Sequence, residues 1–136
     1  MKTYVLDSYV ILAYFRDENG ANDVEDLLVG ASEGKHLLMM TAINAGEVYY
    51  MSVRKDGKII AEKVWEALSN FPITITPADL DFALQSAQIK AEHKLSYADA
   101  FAAALSIRAN AELITGDKEF LNLSAITGFK MKLIPQ

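Results

Sequence analysis

Four carboxylates in this chain keep company that acids rarely keep. Acidic side chains belong on solvated faces, yet Asp7 ends the apolar run Val5-Leu6, and Glu47 lies within Ala45-Gly46-Glu47-Val48-Tyr49-Tyr50. Asp99 is set in Ser96-Tyr97-Ala98-Asp99-Ala100-Phe101, and Asp117 follows Leu113-Ile114-Thr115-Gly116. Brought together, such groups repel: two unit charges ~4 Å apart cost about 4 kcal/mol at an effective dielectric of 20. A hard divalent cation reverses the sign. The chain has no Cys and only two His, His36 and His93, so an all-oxygen donor set favours Mg²⁺ or Mn²⁺ over zinc. Mg²⁺ typically binds few carboxylates and keeps waters and substrate phosphate oxygens, which suits metal-assisted phosphodiester hydrolysis.

Each acid also has a plain structural reading. Asp7 is placed to cap a following helix, and Asp99, three residues after Ser96, completes a capping box. Asp117 after Gly116 reads as a turn residue. Glu47 has the weakest such reading, because it falls about two turns into a helix among apolar and small neighbours. A metal site is therefore indicated by the set and by no single member. Glu119 reads as a solvated loop acid or an outer fifth ligand, the former being the commoner use. Arg54, Lys55, Lys58 and Lys63 form the densest basic cluster, either a solvated helix face or a contact for RNA phosphates. Tyr49, Tyr50, Tyr97 and Trp65 serve packing or base stacking. His36 and His93 receive no catalytic assignment.

The elements that must position these groups follow from periodicity. Thr3 to Leu6, Leu37 to Met40, Ile73 to Ile75, Glu112 to Thr115 and Met131 to Ile134 are short apolar runs of strand length. Tyr9 to Phe15 is apolar throughout, and its period alone does not decide its type. Helices are expected from Asn22 to Ser32 with Asn22 and Glu25 as a capping pair, from a Thr41 cap to about Arg54, and from Ile59 to Phe71 after the Asp56-Gly57 turn. Further helices are expected from Thr76-Pro77-Ala78-Asp79 to about His93 and from Ser96 to Ala109. Strands alternating with helices imply an α/β fold with a mostly parallel central sheet of about five strands and helices on both faces. In such a sheet, sites form beyond the carboxyl ends of the strands, where Asp7 and Asp117 fall and where helices starting near Thr41 and Ser96 can deliver Glu47 and Asp99.

Composition narrows the function further. The 136 residues read as one domain, 1–136, with enough apolar content for a core without disulfides. Eighteen acids against 13 bases leave a net charge of −5, so a polyanionic substrate needs help from a cation. The apolar start is interrupted by Asp7 and closed by Arg16-Asp17-Glu18, unlike a signal peptide, and no uncharged stretch approaches the ~20 residues of a membrane span. A cytoplasmic protein is expected. A phosphoaspartate receiver needs adjacent acids where Ser8 follows Asp7, and an aspartate-nucleophile phosphatase prefers a second Asp where Tyr9 stands.

Taken in order, Asp7 after an N-terminal strand, Asn44-Ala45-Gly46-Glu47, Tyr97-Ala98-Asp99-Ala100 and Thr115-Gly116-Asp117-Lys118-Glu119-Phe120 resemble the PIN domain, and more narrowly the VapC toxins of toxin-antitoxin pairs. The resemblance spans nearly the whole chain. It implies a PIN-like three-layer domain and a Mg²⁺-dependent endoribonuclease, with Mn²⁺ as a substitute, whose catalytic and metal-binding acids match Asp7, Glu47, Asp99 and Asp117. Thr115 and Asn44 match supporting or water-positioning groups. It also implies an RNA substrate, a homodimer and a VapB-type antitoxin that inserts a segment into the active groove. The chain departs from the family pattern at Tyr9, where many relatives carry a small polar residue. The alternative is a catalytically inactive PIN-like module that binds RNA or protein and keeps its acids for capping and fold.

Overall fold

In a computed structural model describing residues 1–135, strand β1 (Thr3–Leu6) is the centre of a five-stranded sheet. Its neighbours are β2 (Leu37–Thr41) and β4 (Glu112–Thr115), with β3 (Thr74–Thr76) outside β2 and β5 (Lys130–Leu133) outside β4. Every pairing is parallel. Successive side chains alternate faces, so Val5 and its partner Leu113 enter one core while Leu6 and its partner Ile114 enter the other. This is the α/β sheet with two covered faces that the pattern of runs implies.

One face is covered by α5 (Leu80–Glu92) and α6 (Tyr97–Arg108), through Phe82, Ile89 and an unbroken buried run from Ala100 to Leu105. The small side chains of Ala102, Ala103 and Ala104, all without exposure, let α6 lie close on the central strands. The other face is covered by α1 (Ser8–Phe15), α2 (Ala21–Ser32), α3 (Ala42–Asp56) and α4 (Lys58–Ser69). The ambiguous run Tyr9 to Phe15 is thus helix, and Val10, Ile11, Leu12 and Ala13 are all buried. Among the described residues no helix is long and apolar enough to cross a membrane.

Two expected helix starts are displaced. Helix α2 begins at Ala21 with Gly20 as its cap (φ 92°) and no side-chain capping bond, so Asn22 and Glu25 are not a capping pair. The C-terminal segment passes directly over this point: a Cβ on Gly20 would lie 2.7 Å from Ile134 Cδ1 and 2.8 Å from the Pro135 carbonyl. Close approach and a left-handed backbone select glycine there, and no capping side chain fits. Helix α5 begins at Leu80, and its cap is Asp79, which accepts from Phe82 N at 2.9 Å. Thr76 is taken up by the ladder to Thr41, so it continues the sheet and leaves the capping to Asp79.

The order β3-β2-β1-β4-β5 places the switch point between β1 and β4, because the chain leaves β1 toward one edge and β4 toward the other. Open parallel sheets form their crevice at the carboxyl ends of such a pair. Asp7 follows β1 and Asp117 follows β4.

Candidate metal centre

The carboxyl end of β1 hands its chain directly to α1, and Asp7 is the hinge. Its Oδ1 accepts from Val10 N at 3.1 Å, capping α1, and its Oδ2 accepts from the Thr115 hydroxyl at 2.5 Å. Thr115 Oγ1 in turn accepts from Asp117 N at 3.0 Å. One hydroxyl therefore ties the ends of the two switch-point strands to one carboxylate, across a separation of 108 residues. Asp7 is 1% exposed. Burial pushes its carboxyl up to about 7, against the Thr115 and Val10 bonds that favour the charged form, and the charges of Asp99 and Asp117 push in the same direction as burial.

The start of α6 supplies the second acid. Ser96 caps the helix by accepting from Asp99 N at 3.1 Å, so the capping arrangement read from sequence exists. It does not exclude a place in the site. The Asp99 carboxyl is pushed up to about 6, first by burial and then by the charge of Asp117, with Ser96 opposing and Glu47 and Glu119 adding to the rise. Asp117 starts the 3-10 helix Lys118–Leu123 by accepting from Glu119 N at 2.9 Å. One carboxylate oxygen from each of Asp99, Asp117 and Glu119 lies within 4.8 Å of the others. Glu119 is exposed, as a solvated acid would be, yet it is a member of the tightest acidic group among the described residues. Both readings of Glu119, solvated loop acid and outer fifth ligand, are compatible with this placement.

Glu47 enters from α3. It accepts from the Ser8 hydroxyl and from Tyr50 OH, the latter at 3.3 Å. The helix that carries it is locked at its start: Thr41 caps it, the Thr41 hydroxyl donates to Asn44 Oδ1 at 2.5 Å, and Asn44 Nδ2 donates to the Ala98 carbonyl at 3.3 Å. Buried Asn44 thus clamps the helix bearing Glu47 to the first turn of the helix bearing Asp99. Asp7, Glu47, Asp99 and Asp117 all line one cavity of about 330 Å³, together with Arg16. Ser8, which holds Glu47 in place, is a site residue that sequence reasoning missed; its adjacency to Asp7 was the available signal.

Tyr9, the departure from the family pattern, packs on the strand end. A Cβ on Gly116 would lie 2.1 Å from Tyr9 Cε1, so Gly116 is required by the ring above it and not by its backbone angles. Polar support of Asp7 comes instead from Thr115 and Val10 N. Gly116→Ala should cost about 1–2 kcal/mol in wild type through overpacking, and much less in a Tyr9→Ala background. Equal costs in the two backgrounds, by urea unfolding, would show that the ring is not the reason.

The donor set suits a hard divalent cation. It consists of oxygens only, it concentrates negative charge that is costly when uncompensated, and it opens into a cavity with room for a phosphate and water.

Comparison with curated proteins gives no match. Among solved structures, the chain is similar to VapBC2 from Rickettsia felis bound to a fragment of promoter DNA, with TM-score 0.73, 14% identity and coverage of 98% of this chain and 99% of that one. It is similar to DNA-bound VapBC from Salmonella typhimurium, with TM-score 0.71, 16% identity and coverage of 97% and 98%. It is also similar to VapC20 from Mycobacterium tuberculosis, a sarcin-ricin loop cleaving toxin, with TM-score 0.65, 13% identity and coverage of 81% and 86%. At these identities the likeness is one of fold. The PIN domain profile matches residues 4–126 of the sequence itself, and the chain belongs to the PIN domain family.

Proposed function

We propose that this chain is a Mg²⁺-dependent endoribonuclease, with Mn²⁺ as a substitute, and the toxin of a toxin-antitoxin pair. The observation that carries the reading is the convergence of Asp7, Glu47, Asp99 and Asp117, from four separate segments, on one cavity at the switch point of the sheet. Membership of the PIN family and the likeness to a sarcin-ricin loop cleaving toxin support it.

Asp7, Glu47, Asp99 and Asp117, which line the cavity, would hold the cation, with Glu119, grouped with Asp99 and Asp117, as an outer fifth ligand. Bound there, a divalent ion supplies Lewis acidity, lowering the pKa of water and offsetting charge on the phosphodiester. Asp7 is held by Thr115 and Val10 N so that its carboxylate cannot turn away when its charge is uncompensated. Ser8 and Tyr50 aim Glu47 into the cavity, and Asn44 keeps Glu47 and Asp99 at a fixed separation.

The same acidic cavity suits inhibition by a basic arm. A VapB-type antitoxin placing an Arg or Lys among these carboxylates would compete with both the cation and the RNA. The VapBC assemblies among the structural relatives support such a partner, and we read the toxin as a cytoplasmic homodimer of one domain.

The deciding experiment is a metal titration with RNA as substrate. Mg²⁺ or Mn²⁺ should raise the melting temperature and switch on cleavage together, and Asp99→Asn should remove both responses. A protein indifferent to either ion that still binds RNA would be the inactive binding module. Co-purified antitoxin should slow cleavage at least tenfold; equal rates for the pair and the free protein would refute the inhibition scheme.

A further inference from the structure

Net charge −5 hides a local excess of the opposite sign beside the acids. A second cavity, of about 310 Å³, is lined by Arg16, Met51, Arg54 and Lys55. Arg16 and Met51 also line the acidic cavity, so the two adjoin. Arg16 caps the C-terminal end of α1, and Arg54 and Lys55 sit in the last turn of α3. Cations at helix C-termini complement the helix dipole, which explains their presence singly. It does not explain why two helices from different parts of the chain bring three cations to one depression opening onto the carboxylates.

Among the described residues none of the three is engaged in an ion pair; the ion pairs formed are Lys2 with Glu112 and Lys35 with Glu33. The Arg54 guanidinium lies 5.0 Å from the centroid of the Tyr50 ring, and the hydroxyl of that ring donates to Glu47. Tyr50, 44% exposed, lines neither cavity but links Glu47 of the acidic one to Arg54 of the basic one, while Arg16 and Met51 form the wall the two share. Lys58 and Lys63, grouped with Arg54 and Lys55 by sequence, lie on α4 and line neither cavity.

We propose that Arg16, Arg54 and Lys55 form a phosphate-binding subsite that holds the RNA strand next to its scissile bond, leading the backbone past Met51 into the metal centre. The subsite rests on the nuclease reading and adds where the strand runs. Guanidinium forks match phosphate oxygens, and a strand whose neighbouring phosphate is neutralised here overcomes the repulsion of the acidic rim.

The test compares three proteins: wild type, Arg54→Gln/Lys55→Gln, and Lys58→Gln/Lys63→Gln. Short mixed-sequence single-stranded RNA is the probe, with cleavage followed in Mg²⁺ and affinity measured in an Asp99→Asn background over a range of salt. The groove variant should lose about tenfold in affinity, with KM rising and kcat held, and its slope of log affinity against log salt should flatten by about 0.7 for each phosphate left without its cation. The α4 variant, with the same charge removed, should match wild type. Equal losses in both variants would reduce the effect to overall charge and overturn the subsite. So would an unchanged groove variant beside an active wild type, which leaves the nuclease standing. Retained RNA affinity with lost binding of polyglutamate would transfer the groove to an acidic protein partner and also overturn it. A wild type that neither cuts nor binds RNA would remove both readings.

Discussion

Asp7→Asn should abolish RNA cleavage, by at least about a hundredfold, while making the metal-free protein more stable at pH 8. The two effects have opposite signs for one physical reason. Asp7 is buried at the switch point with the charges of Asp99 and Asp117 nearby, so its ionised form is held at a cost that a bound cation would repay. Asparagine keeps an acceptor for Val10 N and removes that cost, against a weakened bond to Thr115 worth about 1 kcal/mol. A net gain of about 1–3 kcal/mol is expected, which for a chain of this size raises the melting temperature by roughly 4 °C per kcal/mol. Loss of metal-free stability with cleavage retained would mean that Asp7 is a helix cap and nothing more.

The second large effect is a linkage of pH and metal. The Asp7 carboxyl is raised from an ordinary value of 3.8 to about 7 in the folded protein. Between those values the folded chain holds a proton that the unfolded chain has released. Stability from this group is therefore fully present below pH ~4 and is lost as pH rises through about 7, a swing on the order of 4 kcal/mol. Asp99, raised to about 6, shifts stability in the same direction. The difference between wild type and Asp7→Asn, measured by urea unfolding in chelator, isolates this contribution from the surface carboxylates. It should widen against wild type from pH 5 to pH 8, and saturating Mg²⁺ should close it by favouring the ionised carboxylates. Parallel curves in chelator would show that Asp7 ionises freely.

Most of what positions the site was legible because its determinants are local. Thr41 capping α3 and Ser96 capping α6 are bonds between a side chain and an amide three residues on, so residue type and spacing suffice to foresee them. The strand runs ending at Leu6 and Thr115 needed only an apolar pattern, and the placement of Asp7 and Asp117 beyond them followed from the logic of parallel sheets. Local signals failed where tertiary neighbours intervened. Thr76 carried a helix-start pattern but was drawn into the ladder with Thr41, and Asn22 lost its capping role because Ile134 and Pro135 fix the entry to α2 at Gly20.

By itself the sequence determined the alternation of strands and helices, the acids at or near their ends with Glu47 inside a helix, and the oxygen-only donor set, since these depend on side-chain type and short-range spacing. Only the tertiary structure decided which of these groups meet. The Thr115 hydroxyl meets Asp7 across 108 residues, Ser8 meets Glu47 across 39, and Arg16 joins Arg54 and Lys55 at the ends of two helices. Such meetings depend on how the helices are laid across the sheet, a property of the packed core that no local pattern of residues encodes.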